Sequence, residues 1–235
     1  MRHTKPIATR WMSGLRVATI PEALLVCARD LPLLDMVVLG DSALHLGLAS
    51  LDELYLSANR RRWGAAALTH AIGWMDGRSE SPWESVLRVF HRACGVPVVP
   101  QHPLYDEAGR FIARGDLWIR DSHTLHEYDG AGHRDAATHA EDLRRDRAVP
   151  AIGWQRRGYV SADIAGRPQA ILRDADRAMG RLHRVDRLDP WLRIWAESLF
   201  SASGQDAFRR RMRLEPGPPP WIVGNPDSDM GQQSA

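Results

Sequence analysis

Phe111-Ile112-Ala113-Arg114-Gly115-Asp116-Leu117-Trp118-Ile119-Arg120, then Asp121-Ser122, then His123-Thr124-Leu125-His126-Glu127-Tyr128: two runs rich in aromatic and β-branched residues flank a short polar turn. The pattern predicts a hairpin of antiparallel strands. With Asp121-Ser122 as a two-residue turn, Asp116 stands directly opposite Glu127, their Cβ atoms about 4.5–5.5 Å apart. Asp129, two residues on, projects from the same face, opposite Arg114. Leu117, Ile119 and Tyr128 fall on the reverse face, ready to pack on a helix, with Gly115 leaving room for the tyrosine. Like charges set opposite one another destabilise a ladder, and a divalent cation between them removes the conflict. The competing account is that both acids are solvated, and a one-residue slip in register would separate them.

Working outward, Ser81-Pro82-Trp83-Glu84 reads as a helix start: an N-cap serine, a proline at the first position and a glutamate at the third. The helix it opens puts Trp83, Val86, Leu87, Phe90 and Cys94 on one face, with Glu84, Arg88 and His91 as a stripe along its edge. Gly95 ends it. A strand over Val98 to Tyr105 precedes the hairpin across the turn Glu107-Ala108-Gly109. A polar helix from about Asp135 to Val149 follows, closed by Pro150 and Gly153, and then a strand near Trp154 to Val160. Helix, three-stranded meander, helix, strand is the order of an α/β core with a mixed sheet flanked by helices.

Both ends are helical additions. In front, helices are expected over Pro21 to Leu31, Pro32 to Leu46, from the capping box Ser50-Leu51-Asp52-Glu53, and over Gly64 to Trp74. Behind, they are expected over Gln169 to His183 and Pro190 to Phe200. The domain expectation is a helical module over 1–79, the α/β domain over 80–165, a helical extension over 166–214 and a disordered tail over 215–235, where proline, glycine, serine and glutamine crowd together.

The composition is that of a globular protein, 44% hydrophobic and 26% charged over 235 residues. Cys27 and Cys94 lie in helical patterns without zinc or redox spacing, which points to a reducing compartment. No apolar run reaches the roughly 20 residues needed to cross a bilayer, and Met1 to Met12 is polar and basic without the apolar core of a signal peptide. The expected location is the cytoplasm, with no membrane partner. The formal net charge of +2 provides no global field for nucleic acid, but the basic residues are almost all arginine, and Lys5 is the only lysine.

Glu84 in Ser81-Pro82-Trp83-Glu84-Ser85-Val86-Leu87-Arg88, Asp116 in Ala113-Arg114-Gly115-Asp116-Leu117, Glu127 in Glu127-Tyr128-Asp129-Gly130-Ala131-Gly132-His133, Asp142-Leu143-Arg144-Arg145-Asp146-Arg147 and Gly153-Trp154 occur in that order. Together they resemble the very-short-patch-repair-like branch of the PD-(D/E)XK nuclease superfamily. More narrowly, they are similar to actinobacterial endonuclease-domain proteins whose longer members carry an abortive-infection antitoxin-type DNA-binding domain in front. The resemblance is strongest from about Glu80 to Ile164. It implies a restriction-endonuclease-like fold and a Mg²⁺-dependent DNA endonuclease, with Mn²⁺ as a substitute ion, in repair, restriction or phage defence. Asp116 and Glu127 would hold the metal, with the Tyr128 carbonyl as a further ligand, and Glu84 would complete the acidic cluster. Glutamate at that position also suits a helix cap, and the two roles are compatible.

The chain departs from the superfamily signature in one respect. A lysine should stand two residues after the second acid, and here that residue is Asp129. A third carboxylate can complete a metal site or orient water but cannot stabilise negative charge on a phosphate. His133 is the nearest candidate general acid or base, since imidazole titrates near neutrality. Arg88, Arg144, Arg145 and Arg147 are candidates for phosphate contacts, with ion pairing to Asp142 and Asp146 as the competing account for the last three. The alternative function is a catalytically silent DNA-binding or antitoxin-like regulator that keeps the fold.

Overall fold

A computed structural model describes residues 7–60, 62–130 and 147–214. The sheet has four strands, β3 (Val98–Tyr105), β4 (Phe111–Ile119), β5 (Thr124–Tyr128) and β6 (Gln155–Tyr159), hydrogen-bonded in that order. The first three form an antiparallel meander, and β6 pairs parallel to β5. Such a parallel pair needs a crossover. Here it runs through 129–154, of which the described end consists of helical turns at 147–151. Pro150 lies inside those turns rather than closing them, and the chain turns out at Gly153, whose φ is +77°. The expected tail over 215–235 and most of the expected helix from Asp135 lie outside the described residues.

Helix α5 (Pro82–Ala93) packs against β3 and β5 on one side and against helices α2 (Leu33–His45) and α8 (Asp189–Glu197) on the other. Its burial is therefore not one-sided: every residue from Ser85 to His91 is buried. The stripe predicted along its edge is corrected accordingly. Arg88 points into the protein because the front helices cover that side, where it meets Asp41 of α2, whereas His91 faces the sheet and meets His126 of β5. Those helices are α1 (Ile20–Cys27), α2, α3 (Leu51–Ala58) and α4 (Ala65–Ile72), and the capping box of Ser50 and Glu53 forms as expected.

After β6 come α6 (Ser161–Gly166), α7 (Pro168–Ala178), a 3-10 turn (Val185–Leu188), α8 and α9 (Ala202–Met212). A short hairpin, β1 (Thr9–Met12) and β2 (Leu15–Ala18), precedes α1 and turns at Ser13-Gly14, both at positive φ. One continuous apolar core joins α1 through α5, the inner face of the sheet and α6 through α8, with Trp191 and Phe90 its largest fully buried side chains. A smaller cluster, Leu104, Ala113, Leu125 and Val149, lies on the other face of the sheet. Cys27 and Cys94 are both free thiols, and burial pushes Cys94 up to about 12. Among the described residues, no helix is long and apolar enough to cross a membrane.

Candidate functional site

The hairpin register is the predicted one. Leu117 pairs with His126, Trp118 with Leu125 and Ile119 with Thr124, and the pairing ends there, one step short of Asp116 and Glu127. The strands stop pairing at Ile119 and Thr124, so the connection is longer than two residues, and Asp121 within it takes φ +63°. At Asp116 the backbone ladder gives way to a side chain. The Asp116 Oδ2 accepts the Tyr128 N–H at 2.9 Å, a bond that lies between the strands.

The partner strand is irregular at the same level. Gln101, between the paired Pro100 and His102, has φ +52°, a left-handed value unusual for a residue with a side chain. Side-chain alternation shifts across this point. Leu117, Ile119 and Tyr128 pack into the core under α5 as expected, and Tyr128 stacks on Trp83 at 5.5 Å. Gly115, however, makes room for Leu125 rather than for Tyr128, since a Cβ there would meet the leucine methyls at 2.6 Å.

Glu84 reaches this irregular point from α5. Its N–H donates to the Ser81 hydroxyl at 3.2 Å, so the serine caps the helix. Its carboxylate Oε2 accepts from the Glu80 N–H at 2.9 Å and the Gln101 amide at 2.8 Å. Glu84 thus serves the helix start and is tied to the residue that stands opposite Asp116, without joining a three-carboxylate cluster. Among the described residues, no group of three or more His, Cys, Asp and Glu side chains is placed to hold a metal ion.

Arg156 is the group that sequence reading missed. It lies on β6, where it pairs with Leu125, and so shares a sheet face with Glu127. Its Nε donates to Glu127 Oε2, and its Nη2 donates to Asp129 Oδ1 at 2.6 Å. Glu127 is 2% exposed, so its charge is compensated from within the protein. Asp129 fits against β6 because Gly158, which pairs with Glu127, has no side chain: a Cβ there would overlap the Asp129 carboxylate. Arg114, expected opposite Asp129, ion-pairs with Glu80 at 2.6 Å instead.

The remaining candidates separate. Arg88 is 5% exposed and donates to Asp41 at 2.6 Å, to the Trp74 carbonyl at 2.8 Å and to Ser79 at 3.4 Å. It ties α5 to α2 and cannot reach a phosphate, which corrects its assignment as a nucleic-acid contact. Arg147 is exposed at the start of the described helical turns. His133, Arg144 and Arg145 lie outside the described residues.

Behind the hairpin runs a buried polar chain. His91 Nδ1 meets the Leu87 carbonyl at 2.7 Å, and its Nε2 lies 2.9 Å from His126 Nδ1. His126 Nε2 is 3.3 Å from the Tyr159 hydroxyl, which donates to Asp174 Oδ2 at 3.2 Å. Desolvation holds both imidazoles neutral: His91 falls to about 4 and His126 well below its ordinary value, helped there by His91 and Arg157. The sequence contained a weak signal for this chain, since His91 sat on the predicted stripe and the two-residue period of a strand puts His126 on the same face as Tyr128.

Compared with protein-family models, curated proteins and solved structures, the chain matches none.

Proposed function

We propose that the protein is a Mg²⁺-dependent DNA endonuclease of restriction-endonuclease-like fold, with Asp116 and Glu127 as the metal carboxylates. The feature that supports this reading is the Leu117–His126 register, whose continuation by one step would put the two acids opposite one another, where the pairing of β4 with its neighbours turns irregular. The helix, three-strand meander, crossover and parallel strand are also the order expected of that fold. Mg²⁺ is usually held by one or two carboxylates with water and substrate oxygens completing its shell, and in this reading Asp116 and Glu127 would supply those carboxylates. A bound ion would supply charge for the attacked phosphate and lower the pKa of the attacking water. Arg156 places a cation beside Glu127 and Asp129, the region where the signature lysine is missing.

The same guanidinium favours a second reading. It already balances Glu127 and Asp129, so the acids are stable without metal, as in a DNA-binding relative that no longer cleaves. Calorimetric titration with Mg²⁺ and Mn²⁺ separates the two readings. The nuclease predicts binding by the wild type that Asp116→Asn and Glu127→Gln both abolish, together with metal-dependent cleavage of duplex or single-stranded DNA. A metal-free gel shift with no cleavage in either ion supports the silent relative.

A further inference from the structure

The described surface contains a cavity of about 270 Å³ at the start of the parallel pair β5/β6, beneath the last turns of α7. Its walls include His123, Thr124, Gln155, Arg157, Asp174 and Arg177. On β6, side chains 155, 157 and 159 share the α5 face, whereas Arg156 shares the other face with Glu127. The cavity is therefore on the opposite side of the sheet from the acidic pair and does not depend on the nuclease reading.

The chemistry of the walls is that of an anion site. Arg157 has no hydrogen-bond or ion-pair partner among the described residues. Arg177 approaches Asp174 only at 3.6 Å, beyond hydrogen-bond length. Asp174 is turned towards the interior, where its Oδ2 accepts the Tyr159 hydroxyl. The lining thus carries two guanidinium groups against one carboxylate already engaged, with the Thr124 hydroxyl and the Gln155 amide as further donors. Arg177 is in the last turn of α7, where it offsets the negative end of the helix dipole. Planar guanidinium forks match the oxygens of a phosphate group, each able to give two parallel hydrogen bonds. The volume is at the small end for ligand pockets, which run about 300–1,000 Å³, and suits a phosphate with little attached to it.

We propose that this cavity binds a phosphate monoester group, held between Arg157 and Arg177. Two sources share that chemistry, a free small phosphate and the 5′-phosphate end of a nucleic acid. The test is a titration of the full chain with inorganic phosphate, followed by calorimetry or thermal shift, alongside Arg157→Gln and Arg177→Gln. An Arg110→Gln variant serves as control, since Arg110 lies in the β3–β4 turn. The expected result is saturable binding by the wild type and the control, weakened about tenfold or more by each of the other substitutions, the loss of a charge-assisted hydrogen bond. Both variants replace exposed side chains, so the fold should survive. A wild type that shows no saturable binding, or affinity unchanged in both variants, overturns the proposal. A single-stranded oligonucleotide with and without its 5′-phosphate then identifies the source. Preference for the phosphorylated end, lost in Arg157→Gln, assigns a nucleic-acid terminus, and equal affinity for the two oligonucleotides assigns a small phosphate.

Discussion

The guanidinium of Arg156 lies against the buried carboxylate of Glu127, from a strand that runs parallel to the acid's own and is separated from it by nearly thirty residues of chain. The pair is asymmetric, with Arg156 25% exposed and Glu127 2% exposed. Removing the arginine therefore leaves a charge in the interior, whereas removing the acid leaves a cation that can reach water. Arg156→Gln should destabilise the fold by about 2 kcal/mol, below the 3–5 kcal/mol of a fully buried pair because one partner is partly solvated. Glu127→Gln should be milder, and the double variant should recover part of the loss. Urea unfolding of the four proteins checks this, and strictly additive effects would show that the contact carries no coupling energy.

Gly158 is the second control point on β6. An alanine there meets the Asp129 carboxylate head-on. Asp129 is also held through its backbone, because its N–H donates to the Tyr159 carbonyl at 2.8 Å. The side chain must therefore rotate away, giving up its bond to Arg156 while the strand stays paired. Gly158→Ala should cost about 1 kcal/mol in stability and should leave the Glu127–Arg156 contact in place. A crystal structure of the variant with Asp129 still on Arg156 would count against this account.

Much of the fold was legible because it rests on local signals. Ser81 and Ser50 cap where predicted, β3 begins and ends as read, and β4 and β5 pair in the register that a turn centred on Asp121-Ser122 predicts. What escaped was non-local. Arg88 looks like a surface arginine on an amphipathic helix until α2 brings Asp41 to it, and no periodicity within α5 contains that information. Arg156 reads as one polar residue in Gln155-Arg156-Arg157-Gly158, and only the parallel pairing of β6 with β5 puts it beside Glu127. The α9 helix was missed because its apolar positions are few, and the β1/β2 hairpin because its exposed Trp11 and Leu15 make no core pattern.

The burial of Arg88 leads to a prediction that separates structure from binding. Its partner Asp41 is 1% exposed, and burial raises that carboxyl's pKa against the lowering effect of Arg88. Arg88→Gln should therefore lower stability by about 3 kcal/mol, the scale for a buried pair that loses one member. DNA affinity per folded molecule should be unchanged. Electrophoretic shift at a temperature where both proteins are folded tests this, and a selective loss of DNA binding would return Arg88 to the list of phosphate contacts.

The His91–His126 pair should dominate the acid side of the stability profile. Both groups have depressed pKa values in the folded protein, His91 to about 4. The unfolded chain therefore binds more protons than the folded one between about pH 6.5 and pH 4. Stability contributed by the neutral imidazoles is fully present above about pH 6.5 and is lost as the pH falls through that window. For His91 alone the loss is of order 3 kcal/mol. Asp35 works in the opposite direction. Burial raises its carboxyl to about 6, despite the N–H of Leu199 that it accepts, so its contribution is present below about pH 4 and lost as the pH rises through 6. It partly masks the histidines on acidification. Asp35→Asn should therefore raise the melting temperature at pH 7 and steepen the decline between pH 6 and 4, while His126→Gln should flatten that decline. The readout is the slope of stability against pH in each variant rather than its absolute value, and equal slopes in all three proteins would rule out both assignments.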